Sequence, residues 1–105
     1  MISRIFEWDE AKNLANQRKH DGISFEEASQ VFSDPLQVSY PDRIEGAEQR
    51  WQTLGITKGF VLLVVAHTLT DIDENGEEIE IVRIISARRT DRSERKRYEN
   101  ENRQV

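Results

Sequence analysis

The apolar residues of this chain gather in a few short runs. The most telling extends from Ile79 to Arg89. Ile81, Val82, Ile84 and Ile85 are β-branched and fall on both parities, which predicts a strand covered on both faces. Arg83 sits among them, where a guanidinium must pair at an edge, snorkel to water or serve an anionic ligand. Phe60 to Thr68 predicts a second buried strand with His67 near its end. Asn75-Gly76, between these two runs, is a two-residue hairpin signal. Leu36, Val38 and Tyr40 alternate with polar residues, as in a half-buried strand. Pro41 to Gln49 reads as a polar loop, Arg50 to Ile56 as a strand, and Thr57-Lys58-Gly59 as its turn.

Helical spacing appears at the two ends. Ile2, Ile5, Phe6 and Trp8 suggest a short N-terminal strand or arm, and Asp9 can cap the helix that follows. Ala11, Leu14, Ala15 and Arg18 recur at helical spacing until Asp21-Gly22 breaks the pattern. Ser24 and Glu27 form a capping box for a second short helix, carrying Ala28, Val31 and Phe32 and stopped by Asp34-Pro35. A last helix is predicted from about Arg92 to Asn100, with Asp91 and Glu94 as its capping box. Tyr98 is its one sizeable apolar residue, so a hydrophobic face cannot hold it. The expected fold is α+β, one domain over residues 1–105: a small antiparallel sheet with two N-terminal helices and one C-terminal helix. Its core should draw on Phe6, Leu14, Val31, Phe32, Leu62, Val64, Ile81 and Ile85.

Charge changes this picture. The net charge is −5, yet residues 83–97 hold seven Lys/Arg against two acids. An acidic chain with one basic strip is suited to binding a polyanion locally, although a solvated charged helix would look the same. The absence of cysteine suits a reducing cytoplasm. No apolar run could span a bilayer, and Met1 to Arg4 lacks the apolar stretch of a signal peptide.

Metal sites fare poorly. Asp71 to Gly76 matches the first half of a calcium loop, but Val82 stands where the bidentate glutamate belongs. No nucleophile elbow, phosphate-cradling glycine loop or His/carboxylate cluster is present, so neither a metal nor a cofactor is expected. Chemistry would have to run on Arg, Lys, His, Glu and Tyr. That set suits metal-independent RNA cleavage, in which a base takes the 2′-OH proton, cations stabilise the crowded phosphate and an acid protonates the leaving 5′-oxygen. It also suits simple phosphate binding. A two-residue turn at Asn75-Gly76 would set Asp73 opposite Glu78 and Asp71 opposite Glu80. It would put His67, Ser86 and Arg88 on one face and Thr68 and Arg83 on the other, unless a bulge intervenes. Ser86-Ala87, two small residues, would permit such a bend.

Several segments together resemble a known family. Phe6-Glu7-Trp8-Asp9, Lys19-His20, Ser24-Phe25-Glu26-Glu27-Ala28, Val31-Phe32 and Asp34-Pro35 resemble the first half of the BrnT toxins. Leu62-Leu63-Val64-Val65, His67-Thr68, Arg83 to Arg88 and Glu94 to Glu99 resemble the second half. The resemblance implies a bacterial type II toxin–antitoxin ribonuclease with a RelE-like fold. It further implies an RNA substrate and neutralisation by a cognate DNA-binding antitoxin of the ribbon-helix-helix type, through which the protein would oligomerise. By that resemblance His67, Arg83, Arg88 and Tyr98 become the catalytic candidates. Lys19, His20, Arg89, Arg92 and Arg95 become candidates for RNA contact. Asp21 interrupts the Lys-His-Gly run usual in the family. The alternative is a non-catalytic module that binds an antitoxin or nucleic acid. A DNA-binding regulator is disfavoured by the acidic net charge and the lack of a helix-turn-helix pattern.

Overall fold

A computed structural model describes residues 3–103. Ile2, expected in the first strand, lies outside them. The strands are β1 (Ser3–Glu7), β2 (Val38–Glu45), β3 (Glu48–Ile56), β4 (Leu62–Glu74) and β5 (Glu77–Arg89). The helices are α1 (Glu10–Lys19), α2 (Phe25–Ser29) and α3 (Arg92–Glu101), and a 3-10 turn, Gln30–Ser33, extends α2. The strands form one sheet in the order β1-β5-β4-β3-β2. Four of them are antiparallel to their neighbours, as expected. β1 corrects the all-antiparallel expectation, because it pairs parallel to β5, Ser3 opposite Ile79 and Glu7 opposite Arg83.

Turn chemistry accounts for the hairpins. Asn75 and Gly76 adopt φ of 54° and 79°, the left-handed pair that a two-residue hairpin requires. β4 and β5 then pair in regular order from Glu74–Glu77, with Asp73 opposite Glu78 and Asp71 opposite Glu80. The expected loop from Pro41 to Gln49 is instead a second hairpin. Its tip is Gly46-Ala47, both at positive φ, and the ladder shifts register between Pro41 and Ile44. Proline is tolerated there because β2 is an edge strand.

One face of the sheet is fully covered. Phe25, Ala28, Val31 and Phe32 pack on Leu63, Val65, Val82, Ile84 and Ala87. Gly55 allows that approach, since a Cβ on it would meet Val31 Cβ at 2.8 Å. Leu14, expected in the core, is 49% exposed. α1 instead turns Asn13 and Asn16 inward. The Asn13 carboxamide accepts from the Phe25 amide at 2.8 Å. Asn16 reaches the edge of β5, donating to Ala87 O at 2.9 Å and accepting from Ala87 N at 3.1 Å. It thereby completes the strand edge beyond the end of β1.

The opposite face carries a smaller cluster of Leu54, Leu62, Val64 and Tyr98. Tyr98 is the buried residue of α3. Polar ties supply the rest. The Tyr98 hydroxyl donates to Asp34 at 2.6 Å, and Asn102 donates to Leu36 O at 3.1 Å. The Asp91–Glu94 capping box forms as expected.

Candidate active site on the open sheet face

α3 covers only part of its face. Beyond it, the register aligns Tyr40, Gln52, Ala66 and Ser86 across four strands, with Thr68 and Arg83 paired further along. On this floor Ala66 and Ser86 are small and partly buried, whereas Thr68 is 2% exposed.

The floor owes its cations to a bulge. Ala66 pairs with Ser86 and His67 with Ile84, which leaves Ile85 without a partner. Val82, Ile84 and Ala87 belong to the covered core, so two successive residues, Ile85 and Ser86, are skipped on that side. Arg83 and Arg88, five apart, therefore share the open face rather than opposing one another. The bulge also removes Ile85 from the core where it was expected; it is only partly buried. Arg83 and Arg88 pair with Thr68 and Val64, four residues apart on β4. That is roughly 13 Å along a strand, wide enough for the two guanidiniums to take different phosphates.

Arg88 is held in place. It donates from both terminal nitrogens to the two Glu94 oxygens at 2.9 Å. Glu94 in turn accepts from the Asp91 amide at the α3 cap. The Glu94 hydrogen bonds raise the Arg88 pKa further above its already high value. Arg97 lies over the Tyr40 ring at 3.7 Å, and the Tyr40 hydroxyl donates to Gln52. Burial, then the Glu94 charge, raises the Tyr40 pKa. Arg83 is exposed, lines a hollow with Glu7, Trp8 and Asp9, and forms no ion pair among the described residues. At the β5 edge, Lys12, Lys19 and His20 line a second hollow with Ile85 and Ser86. Arg92 and Arg95 are exposed on α3. Arg89 stands 3.9 Å from Asp21, the residue that splits the Lys-His-Gly run.

Two expected catalysts lie elsewhere. His67 is 1% exposed and belongs to the covered face, edge-on to Phe32 with ring centroids 4.9 Å apart. Its Nδ1 faces Thr68 O at 3.3 Å and its Nε2 faces Thr53 Oγ1 at 2.7 Å. A carbonyl only accepts, so Nδ1 carries the proton and Nε2 accepts from Thr53. Burial lowers its pKa from 6.5 to about 4. His67 is thus a neutral core side chain under Phe32; it stands on the face opposite Arg83 in either register, and the bulge separates it from Arg88 as well. Tyr98 is likewise buried, and burial together with Asp34 raises its pKa. It positions α3 and touches no open surface of the floor.

The His67 burial has a measurable consequence. Unfolded, this histidine takes up a proton as pH falls through about 6.5; folded, it resists until about 4. Stability is therefore intact above about pH 6.5 and declines between there and about 4, by roughly 3 kcal/mol in all. Denaturation midpoints across that range should show the decline, and His67→Gln should flatten it. An equal acid slope in the variant would assign the effect to other groups.

Tyr40, Gln52, Glu94 and Arg97 were not expected at the site. Glu94 was visible as a cap and Arg97 as part of the basic strip, but nothing in the sequence joins β2 to α3.

Residues 8–94 match the family model described as ribonuclease toxin, BrnT, of type II toxin–antitoxin system. The fold is similar to that of the Brucella abortus ribonuclease toxin BrnT, known from a 1.1 Å crystal structure, with a TM-score of 0.56 and 21% identity. The match covers 86% of this chain and 99% of that one. No curated protein sequence is matched significantly. With the family model spanning most of the chain, including β5 and the cap of α3, this protein belongs to the BrnT family of type II toxin–antitoxin ribonuclease toxins.

Proposed function

We propose that this protein cleaves RNA without a metal ion in the bacterial cytoplasm, inhibits translation by doing so, and is silenced by a cognate ribbon-helix-helix antitoxin. The observation that carries this reading is the bulge at Ile85, which brings Arg83 and Arg88 onto one open face with a floor of small residues. That floor is where a RelE-like relationship would put the substrate. Arg88, fixed by Glu94, donates its remaining N–H groups to the scissile phosphate, and Arg83 holds a neighbouring one. The 2′-oxygen attacks phosphorus as its proton leaves to a base. The bond to the 5′-oxygen breaks as that oxygen gains a proton, giving a cyclic phosphate and a free 5′-hydroxyl. His20, which lines the hollow at the β5 edge together with Ser86, carries a proton in this reading, in the role first expected of His67. Lys19, Arg89, Arg92 and Arg95 attract the rest of the polyanion. This cationic lining repels a divalent ion, which supports the metal-free route. The exposed arginines of α3 offer the antitoxin an acid-seeking surface, and larger assemblies form through that partner.

The bidentate hold of Glu94 on Arg88 favours a second reading, a module that binds RNA or antitoxin without cutting. Cleavage of a labelled RNA by the purified protein in EDTA separates the two. Cleavage is expected to persist in EDTA, and His20→Ala should flatten its pH dependence. Activity abolished by EDTA would end the metal-free mechanism. Binding without cleavage, and no growth arrest on expression, would establish the second reading.

A further inference from the structure

The end of β5 presents a second constellation that the floor does not use. Arg88 pairs with Val64 and Arg89 with Leu63, so the two successive arginines point to opposite faces. Arg89 enters a hollow lined by Phe60, Val61, Leu62, Thr90 and Arg95. Three features of this hollow have no structural explanation.

The first is Phe60. It was expected to open a buried strand, yet it is 89% exposed. The turn that closes with Phe60 N on Thr57 O and Thr57 N on Val61 O puts Phe60 at a φ of +62°. That conformation favours glycine, and a bulky residue holding it is strained. Gly59 stands next in the chain and does not take the position. A large aromatic ring is thus held out to solvent at a conformational cost. The second is Thr90. Its amide bonds to Leu62 O, but its hydroxyl is buried without a partner among the described residues. A buried hydroxyl left unpaired is destabilising unless something arrives to satisfy it. The third is the pair of guanidiniums. Arg95 forms no ion pair among the described residues, and Arg89 has only a long, solvent-exposed ion pair with Asp21 at 3.9 Å.

We infer that Phe60, Arg89, Thr90 and Arg95 form a nucleotide-binding subsite for single-stranded RNA, distinct from the cleavage floor. This rests on the ribonuclease reading above. A splayed-out base stacks on the Phe60 ring against Val61 and Leu62. The adjoining phosphate takes the two guanidiniums, and the Thr90 hydroxyl joins them once its side chain turns into the hollow. A nucleotide carries a π-face and an anion on one sugar, which is the combination this hollow lacks. The strand would cross from the open face to this hollow over the Arg88-Arg89 step. Duplex RNA offers no free base face and should not use the site.

The test is fluorescence anisotropy of the full chain with a 2′-O-methyl oligoribonucleotide, which cannot be cut because it lacks the attacking hydroxyl. Phe60→Ala should weaken single-strand binding by roughly five- to a hundred-fold, and Phe60→Trp should retain it. Phe60→Gly relieves the backbone, so its Tm should hold or rise while affinity falls as in Phe60→Ala. Thr90→Val removes the orphan hydroxyl; it should likewise weaken binding without lowering Tm. Unchanged affinity in folded Phe60→Gly and Thr90→Val overturns the subsite. Loss of antitoxin binding with RNA binding intact also overturns it, and assigns the hollow to the protein partner. Phe60-dependent binding by a protein that never cuts unmodified RNA would sustain the subsite and remove the ribonuclease reading. Cleavage with Phe60-independent binding would do the reverse.

Discussion

Alanine at Arg83 or at Arg88 is expected to slow RNA cleavage on the order of 10²–10³-fold, with the fold intact by circular dichroism. Neither side chain contributes to the covered core, so the loss belongs to the chemistry. The two arginines stand about 13 Å apart along the sheet, and in the proposed pose they hold different phosphates. Their effects should therefore nearly multiply in the double variant, whereas two donors on one phosphate would not. Lysine keeps the charge but loses the planar fork. Arg88→Lys should lose more than Arg83→Lys, because Glu94 fixes Arg88 through two terminal nitrogens. Full cleavage by folded Arg83→Ala would return that residue to the role of an exposed edge arginine.

Asn16→Ala is expected to destabilise the fold by about 3 kcal/mol, although it deletes no apolar group. The carboxamide serves Ile23 O, Ala87 O and Ala87 N, all in buried surroundings. Removing it strands backbone groups that each cost about 1–3 kcal/mol when unsatisfied, less whatever water can recover. Leu14→Ala, on the exposed side of the same helix, should shift stability by less than about 1 kcal/mol. Urea denaturation of the two variants provides the comparison. Equal midpoints would mean that α1 is not the clasp on the β5 edge.

These two residues also show where the sequence was informative. Most strands, the hairpin tip and the helix caps were legible because each is a local signal: alternation, Asn-Gly, and a serine or aspartate three residues before a glutamate. The full capping box forms at Asp91–Glu94, whereas Ser24 caps Glu27 N without a return bond from the Glu27 side chain. α1 was legible as a helix but not in its facing. Its apolar spacing pointed Leu14 inward, and the open hydrogen-bonding edge of β5 overruled it in favour of asparagines. The parallel pairing of β1 was hidden because nothing local distinguishes one sheet edge from another. At the site, Arg83 and Arg88 stood out as cations in and after an apolar run. Their shared face did not, since a single unpaired residue reverses every parity beyond it. His67 was read as accessible because nothing local shows that Phe32 covers its face, and Tyr40 joins Arg97 only through contacts between distant elements.

The position of β1 has a consequence in time. Its ladder with β5, and the Arg4–Glu80 ion pair on it, join residues 76 apart in the chain. Closing so long a loop is entropically expensive and is rewarded only once β5 is in place. β5 also carries the bulge and both arginines of the floor. The last step of folding is thus coupled to the assembly of the site. A newly made chain would then pass through an interval in which the arginines already line β5 but its outer edge is open. A mutation that weakens β1 would prolong that interval, delaying the onset of toxicity before it changes the potency of the finished protein.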